Sequence, residues 1–259
     1  MSDASSVKSS QYIIDSLREY VLAPLSAATR LINQERTEVE TERDGFKEFR
    51  ERIISLDPVT TPSNKQTTGR TLPTTSDQFD CVRSAYRETV MSTPHHEKTY
   101  TCQLVEDLAE EFGPEVAAGI RQSSSTQFTP VYKNILEAKT RNSINARNEF
   151  LDTLAEEAES VEDSRSGICQ AINTLDRTVI PEWHCESFSE QLDRIGKQRQ
   201  QTLQTRGSVS HLDEFTLCTY LYNDQPWRYP VLTGLARLRE TVTFESDPET
   251  DTDLSDRLD

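Results

Sequence analysis

A seam of apolar residues with heptad spacing constrains the fold of this chain more than any other feature of the sequence. Between residues 144 and 179, apolar side chains recur at alternating steps of three and four, and only Arg147 and Arg165 interrupt the two rows. The apolar members are Ile144, Leu151, Leu154, Ala158, Val161, Ile168, Ile172, Leu175 and Val179. So narrow a strip is typical of a long helix that packs along another helix. Pro181 predicts its end.

An earlier segment repeats the same pattern and supplies the second helix. A first helix is predicted to begin near Gln11, and Pro24 either kinks it or restarts it. The seam positions beyond Pro24 are Leu25, Ala28, Ile32, Glu35, Val39, Glu42, Phe46, Phe49, Ile53 and Leu56. We therefore predict an all-α fold, in which residues 11–56 and 130–180 form a long antiparallel coiled-coil hairpin with a small helical module at its base.

The polar positions in the two seams suggest how the helices are aligned. The favoured register places Leu56 opposite Leu151 and Glu42 opposite Arg165, so that two polar interruptions meet. An alternative register places Glu35 opposite Arg165 but leaves Arg147 opposite an apolar side chain, Ile53. The sequence thus predicts an ion pair of Arg165 with Glu42, and with Glu35 as the second choice.

The rest of the chain divides by composition. Residues 1–10 are rich in serine and are expected to be disordered, and residues 57–76 read as a flexible linker of Thr, Pro, Ser and Gly. Apolar stripes over 77–128 and 182–244 predict that these segments cover each other in the base module. Residues 245–259 form an acidic tail without an apolar face.

The excess of acidic residues is interpreted as an adaptation to high salt rather than as an acidic binding face. The net charge is −16, and arginine outnumbers lysine by 21 to 7. In about 1 M salt the Debye length is only about 3 Å, so the repulsion between such charges is screened. Because the sequence has neither a secretory signal nor an apolar run long enough to span a membrane, we expect a cytoplasmic protein without a membrane partner.

The histidines and cysteines are the weak candidates for a metal site. Zinc binds Cys and His in tetrahedral sets, but no pair in this chain has a zinc-finger spacing. The candidates are His95, His96, Cys102, His184, Cys185, His211 and Cys218. Known catalytic motifs are missing from the sequence, and we predict neither a catalytic residue nor a cofactor.

A basic run on the predicted helix after Pro181 is the one candidate for nucleic-acid contacts. It comprises Arg194, Lys197, Arg199 and Arg206. Phosphate contacts weaken steeply with salt, so this run is interpreted as a solvated helix face, and nucleic acid is not an expected partner.

Aromatic residues concentrate near the C-terminal end, in a chain that is only 7% aromatic. The group consists of Tyr220, Tyr222, Trp227 and Tyr229. It either closes a small core or forms a docking patch. We favour the core, because the apolar stripes on both flanking helices need a partner.

Three blocks of sequence resemble a known family. They are YRETVMSTPHHEKTY, EEFGPEVAAGI and LCTYLYNDQPWRYPVLTGLARL. They resemble a haloarchaeal family defined by a domain of unknown function, over roughly residues 25–244. The resemblance implies a cytoplasmic helical protein with an N-terminal heptad helix, and it supplies no catalytic residues.

Together these features predict a structural or interaction protein, acting as a scaffold or regulatory adaptor through coiled-coil and helical surfaces. The alternative is a regulator or enzyme that binds zinc or iron through the histidines and cysteines. The identity of the protein partner and the oligomeric state are left open by the sequence.

Overall fold

The computed structural model describes residues 3–59, 75–93, 104–121, 127–177, 182–205 and 216–245. Within these ranges the chain forms eight α-helices and no strand, so the predicted all-α class is confirmed. The helices are α1 (Asp3–Ser55), α2 (Thr75–Thr89), α3 (Leu104–Phe112), α4 (Pro114–Ile120), α5 (Pro130–Arg177), α6 (Glu182–Thr205), α7 (Leu217–Tyr222) and α8 (Pro230–Glu245).

The chain divides into two compact units. Unit 1 combines Met1–Gln34 with Leu154–Asp259, and unit 2 is the continuous segment Glu35–Thr153. The two long helices α1 and α5 each contribute one part to unit 1 and the other part to unit 2.

Unit 2 is built around a cluster of buried aromatic rings. Phe46 and Phe49 of α1 meet Tyr86 of α2 and Phe112 of α3, with ring centroids 5.2–6.3 Å apart. Gly113 joins α3 to α4 with a φ of 93°, a left-handed conformation that only glycine adopts readily, and Pro114 then opens α4. These short helices therefore close one side of the aromatic core.

Within unit 2, α1 and α5 run antiparallel, but their register differs from both predicted ones. The Lys133 ammonium donates to the carbonyl oxygens of Ile54 and Leu56 at 2.7 and 2.8 Å, and Arg147 Nε lies 3.3 Å from a carboxylate oxygen of Glu42. The favoured register, with Leu56 opposite Leu151, is therefore wrong in this unit. The alternative, with Arg147 opposite Ile53, is wrong as well.

The charged residues of the seam account for this error. In unit 2 the arginine on Glu42 is Arg147, because α3 brings Glu111 to the same place as a second carboxylate. In unit 1, Arg165 instead pairs with Glu162, one turn earlier in α5, at 3.0 Å. Glu35 is half-buried in unit 2, and the register that would have placed it opposite Arg165 is not the one formed there.

Unit 1 has its own core, built from both long helices and α6 to α8. Its α1 part buries Val21, Leu25, Ala28 and Ile32, and its α5 part buries Leu154, Val161, Ile168, Ala171 and Ile172. The later helices add Phe188, Leu192, Leu217, Tyr222, Val231, Leu235 and Leu238. The Arg237 guanidinium of α8 donates to the carbonyl oxygen of Tyr20 at 2.8 Å and lies over its ring, which ties α8 to α1.

Several predicted boundaries change. The segments 77–128 and 182–244, predicted to cover each other, belong to different units, because each has its own part of α1 and α5 to pack against. Helix α1 begins at Asp3 and continues through Pro24, so residues 3–10 are helical rather than disordered. Of the predicted linker 57–76 and acidic tail 245–259, residues 60–74 and 246–259 lie outside the described residues, whereas Thr75 and Ser76 begin α2 and Glu245 ends α8.

Candidate functional site

Among the described residues, a cluster of charged side chains largely withdrawn from solvent is found in each unit. The Arg147 cluster of unit 2 consists of Glu42, Phe46, Tyr86, Asp107, Glu111 and Arg147. Glu111 accepts two hydrogen bonds from the Arg147 guanidinium, at 2.7 and 3.0 Å. The same guanidinium lies 4.3 Å from the centre of the Phe46 ring. Two carboxylates and an aromatic face thus fix one cation.

The electrostatics of this cluster favour a charged Arg147 and a neutral Tyr86. Burial alone lowers the pKa of Arg147, but the neighbouring carboxylates of Glu111 and Glu42 more than offset this, and the pKa is raised. Tyr86 donates its hydroxyl hydrogen to Asp107 at 2.5 Å. Burial, followed by the charge of Asp107, raises the pKa of Tyr86. A neutral tyrosine that donates to a carboxylate is therefore the stable state here.

A small pocket of about 60 Å³ opens beside the Arg147 cluster. Its lining includes Tyr86, Val90, Thr93, Glu110 and the charged members of the cluster. Pockets that hold metabolites typically measure about 300–1,000 Å³. This pocket is therefore too small for a substrate of ordinary size.

The Glu157 cluster of unit 1 consists of Glu157, Ser160, Arg199, Cys218 and Tyr222. The Arg199 guanidinium donates to both carboxylate oxygens of Glu157, at 2.7 and 2.9 Å, and to Ser160 Oγ at 2.9 Å. Tyr222 donates to the same carboxylate at 2.9 Å. Glu157 and Arg199 are 0% and 1% exposed, so α5, α6 and α7 meet around an ion pair shielded from water.

This cluster likewise favours a charged Arg199 and a neutral Tyr222. Burial alone lowers the pKa of Arg199, but the hydrogen bonds and charge of Glu157 outweigh it and the pKa is raised. Burial, followed by the charge of Glu157, raises the pKa of Tyr222. A two-pronged, charge-assisted pair with a further donor on the carboxylate satisfies the groups that burial would otherwise penalise.

The arginines and tyrosines of the two clusters do not fit the role of a catalytic acid or base. A catalytic acid or base needs a pKa close to the working pH and a reacting group within hydrogen-bond distance. The arginines and tyrosines here are held in their ordinary protonation states, and their donors point to partners inside the same cluster. Their arrangement positions helices against one another.

Most of the predicted metal-binding residues lie outside the described part of the chain. The segment 94–103, with His95, His96 and Cys102, and the segment with His211 lie outside the described residues, as do the side chains of His184 and Cys185. Among described residues, no group of three or more His, Cys, Asp or Glu side chains is arranged to hold a metal ion. Cys218 is buried with its sulfur 3.9 Å from the Arg199 guanidinium, a cation that disfavours a metal ion beside it.

Of the four aromatic residues near the C-terminal end, two are buried and two are exposed. Tyr222 and Trp227 are buried in unit 1, with ring centroids 5.5 Å apart. Tyr220 and Tyr229 are 40% and 42% exposed and do not belong to the core. The predicted solvated basic face is wrong for Arg199, which is buried, whereas Arg194 and Lys197 are exposed.

The residue that sequence reasoning missed is Glu157. The heptad frame assigned the seam position to its neighbour Ala158, but the structure buries Glu157 and leaves Ala158 half-buried. One sequence signal did point to it. Arg199, on the helix that follows, has no acidic residue within four positions, and a buried carboxylate needs such a cation as its partner.

No helix in the described part of the chain is both long and apolar enough to cross a membrane.

Comparison with known proteins places the chain in a family. No curated protein and no solved structure matches the chain. The pattern that defines a domain of unknown function, DUF7260, matches residues 23–245, close to the range over which the sequence resembled such a family. The chain therefore belongs to the family of the domain of unknown function DUF7260.

Proposed function

We propose that this protein is a structural or interaction protein, a scaffold or regulatory adaptor that binds other proteins through the outer faces of its helices. The observation that carries the proposal is the outer face of α5 in unit 2. Its residues at alternating steps of four and three are all exposed: Val131, Ile135, Ala138, Asn142, Asn145, Glu149 and Asp152. The apolar members Val131, Ile135 and Ala138 have the spacing with which one helix packs along another, whereas the later members of the row are polar.

The interior of the protein supports the same proposal. Among the described residues, the arginines of both charged clusters are bound by carboxylates of the same cluster, and the pocket beside the Arg147 cluster is too small for an ordinary substrate. Within the described part of the chain, the exposed helix faces are therefore the surface best suited to contact other molecules. The net charge of −16 supports a location in a cytoplasm of high salt concentration, such as that of haloarchaea.

Affinity purification at native salt tests the proposal. The tagged full-length chain, expressed in its native host, should recover one or a few proteins in near-stoichiometric amounts. The purified chain should also be analysed for metal, without chelators in any buffer. Stoichiometric zinc or iron that is lost when His95, His96 and Cys102 are changed to alanine would contradict a purely structural role and favour the metal-binding alternative.

A further inference from the structure

We propose that the first three turns of α5 are the docking site for an acidic amphipathic helix of a partner protein. The docking face is defined by Val131, Ile135, Ala138, Lys139 and Arg141. This inference rests on the proposed interaction role and specifies both the surface and the chemistry of the partner.

The centre of the docking face is apolar and open to solvent. Val131 is 67% exposed and Ile135 is 45% exposed, and Ala138 continues the line toward Asn142. From Val131 to Asn142 the line is about 16 Å long, at 1.5 Å per residue. Apolar side chains one turn apart on a straight helix present anchors to a second helix at positions i, i+4 and i+7.

The edges of the docking face are basic. At about 100° per residue, Lys139 lies about 80° to one side of Val131, and Arg141 lies about 80° to the other. Both are exposed, and neither forms an ion pair or a side-chain hydrogen bond with a described residue. Two free cations therefore flank the apolar line.

This stretch of α5 differs in charge from the rest of the protein. The chain as a whole carries −16, yet the exposed residues between 127 and 148 include no carboxylate. Glu137, the acidic residue of this stretch, is half-buried beside Lys133. Charge complementarity thus selects a partner with carboxylates beside its apolar anchors.

A second copy of this chain fits the docking face less well. The same line in unit 2 continues into Glu149 and Asp152, so another copy would offer carboxylates without apolar anchors. Nucleic acid would use the two cations but would leave Val131 and Ile135 against a charged backbone. An acidic helix with apolar residues at heptad spacing satisfies both parts of the surface.

The test uses the full-length protein and two fluorescein-labelled helical peptides. One peptide carries Leu at the a and d heptad positions and Glu at e and g, and the other has Lys in place of Glu. Fluorescence anisotropy should give a dissociation constant about tenfold or more lower for the acidic peptide, and rising salt should weaken its binding. Equal binding of both peptides, or no binding of the acidic one, would overturn the proposal.

Variants of the docking face locate the site. Lys139→Glu with Arg141→Glu should reverse the preference toward the basic peptide, and Val131→Ser with Ile135→Ser should weaken both. All four residues are exposed, so circular dichroism should show an unchanged fold. Arg87→Glu with Arg121→Glu is the matched control, because it changes the net charge equally at exposed sites outside the docking face. Loss of binding in this control would overturn the assignment.

The outcome can be separated from that of the proposed function. A native partner that still copurifies with the Lys139→Glu, Arg141→Glu variant would refute the docking face but leave the interaction role intact. A chain that recovers no partner at native salt would refute the interaction role itself. Self-association that Val131→Ser with Ile135→Ser abolishes, seen by sedimentation, would assign the face to a second copy and overturn the acidic partner.

Discussion

The ion pair of Glu157 and Arg199 shows how much depends on single residues inside this protein. Both side chains are almost completely withdrawn from water and bind each other through two hydrogen bonds. Removing one partner of a buried pair leaves the other charge without compensation, whereas replacing both with apolar residues is often tolerated. The pair therefore specifies which helices meet more than it adds stability.

Substitution of Arg199 alone should be strongly destabilising. We expect Arg199→Ala to lower the free energy of unfolding by about 3–5 kcal/mol, because Glu157 would remain buried and unpaired. The double substitution Glu157→Leu with Arg199→Met should lose clearly less. Urea unfolding followed by circular dichroism measures both.

The exposed pair of Arg239 and Asp193 provides the control for this comparison. Its two side chains are 47% and 53% exposed. Arg239→Ala should therefore cost about 1 kcal/mol or less. A loss as large as that of Arg199→Ala would show that burial of the pair is not what determines the cost.

The buried tyrosines should make the fold sensitive to alkaline pH. Burial and neighbouring carboxylates raise the pKa of Tyr86 and of Tyr222 above the ordinary value of about 10. The unfolded chain therefore loses these protons first, so stability is complete below about pH 10 and falls as the pH rises above it. Each tyrosine adds about 1.4 kcal/mol per pH unit to this loss.

Urea unfolding between pH 8.5 and 11 measures this effect. Tyr86→Phe and Tyr222→Phe should each flatten the decline, since phenylalanine has no proton to lose. A decline in both variants as steep as that of the unchanged protein would contradict the role of burial.

Sequence reasoning found apolar residues well and buried charges poorly. The seam residues of α1 from Leu25 to Ile53 are buried as predicted, apart from the two glutamates, and so is Trp227. The pairing of Glu157 with Arg199 was missed because the two residues are 42 positions apart in the chain, and a heptad pattern carries no information about a contact at that distance. Their charges instead made them look like surface residues.

At the scale of elements, Gly45 sets the approach of α1 to α2. A Cβ atom at this position would lie 2.6 Å from the carbonyl oxygen of Thr89, a contact that the backbone of α2 cannot relieve by rotating a side chain. The absence of a side chain at Gly45 therefore allows the two helices to pack closely beside the aromatic core.

Gly45→Ala should destabilise unit 2 by about 1–3 kcal/mol, because the helices must separate to admit the methyl group. Gly196→Ala is the matched control in α6. Its Cβ would make ordinary contact, 3.6 Å from a Leu235 methyl group. That substitution should be neutral or stabilising by up to about 1 kcal/mol, since alanine favours the helix. Thermal unfolding of both variants measures the difference, and similar melting temperatures would refute this account.

The heptad pattern predicted the two long helices correctly but not their register. The pattern predicted α1 and α5 as long antiparallel helices, and both are present with that direction in unit 2. It predicted the wrong register because it treated them as an isolated pair, and α3 places Glu111 at the seam. Residues from a third helix are invisible to a pattern that considers only two.

At the scale of the whole molecule, charge should control stability. The net charge of −16 generates repulsion that the folded state must withstand, and salt screens it. The melting temperature should therefore rise substantially between low and molar potassium chloride. Differential scanning calorimetry at several salt concentrations tests this, and an unchanged melting temperature would contradict adaptation to high salt.

The division of the chain into units has a consequence for its synthesis. Unit 2 is a single stretch, Glu35–Thr153, whereas unit 1 needs the first residues and the last helices together. Arg237 and the carbonyl group of Tyr20 that it binds are 217 residues apart. On the ribosome, unit 2 can close while the apolar face around Val21 and Leu25 still awaits its partners. Unit 2 can therefore fold during synthesis before unit 1, although residues of unit 1 around Val21 are made earlier than any residue of unit 2.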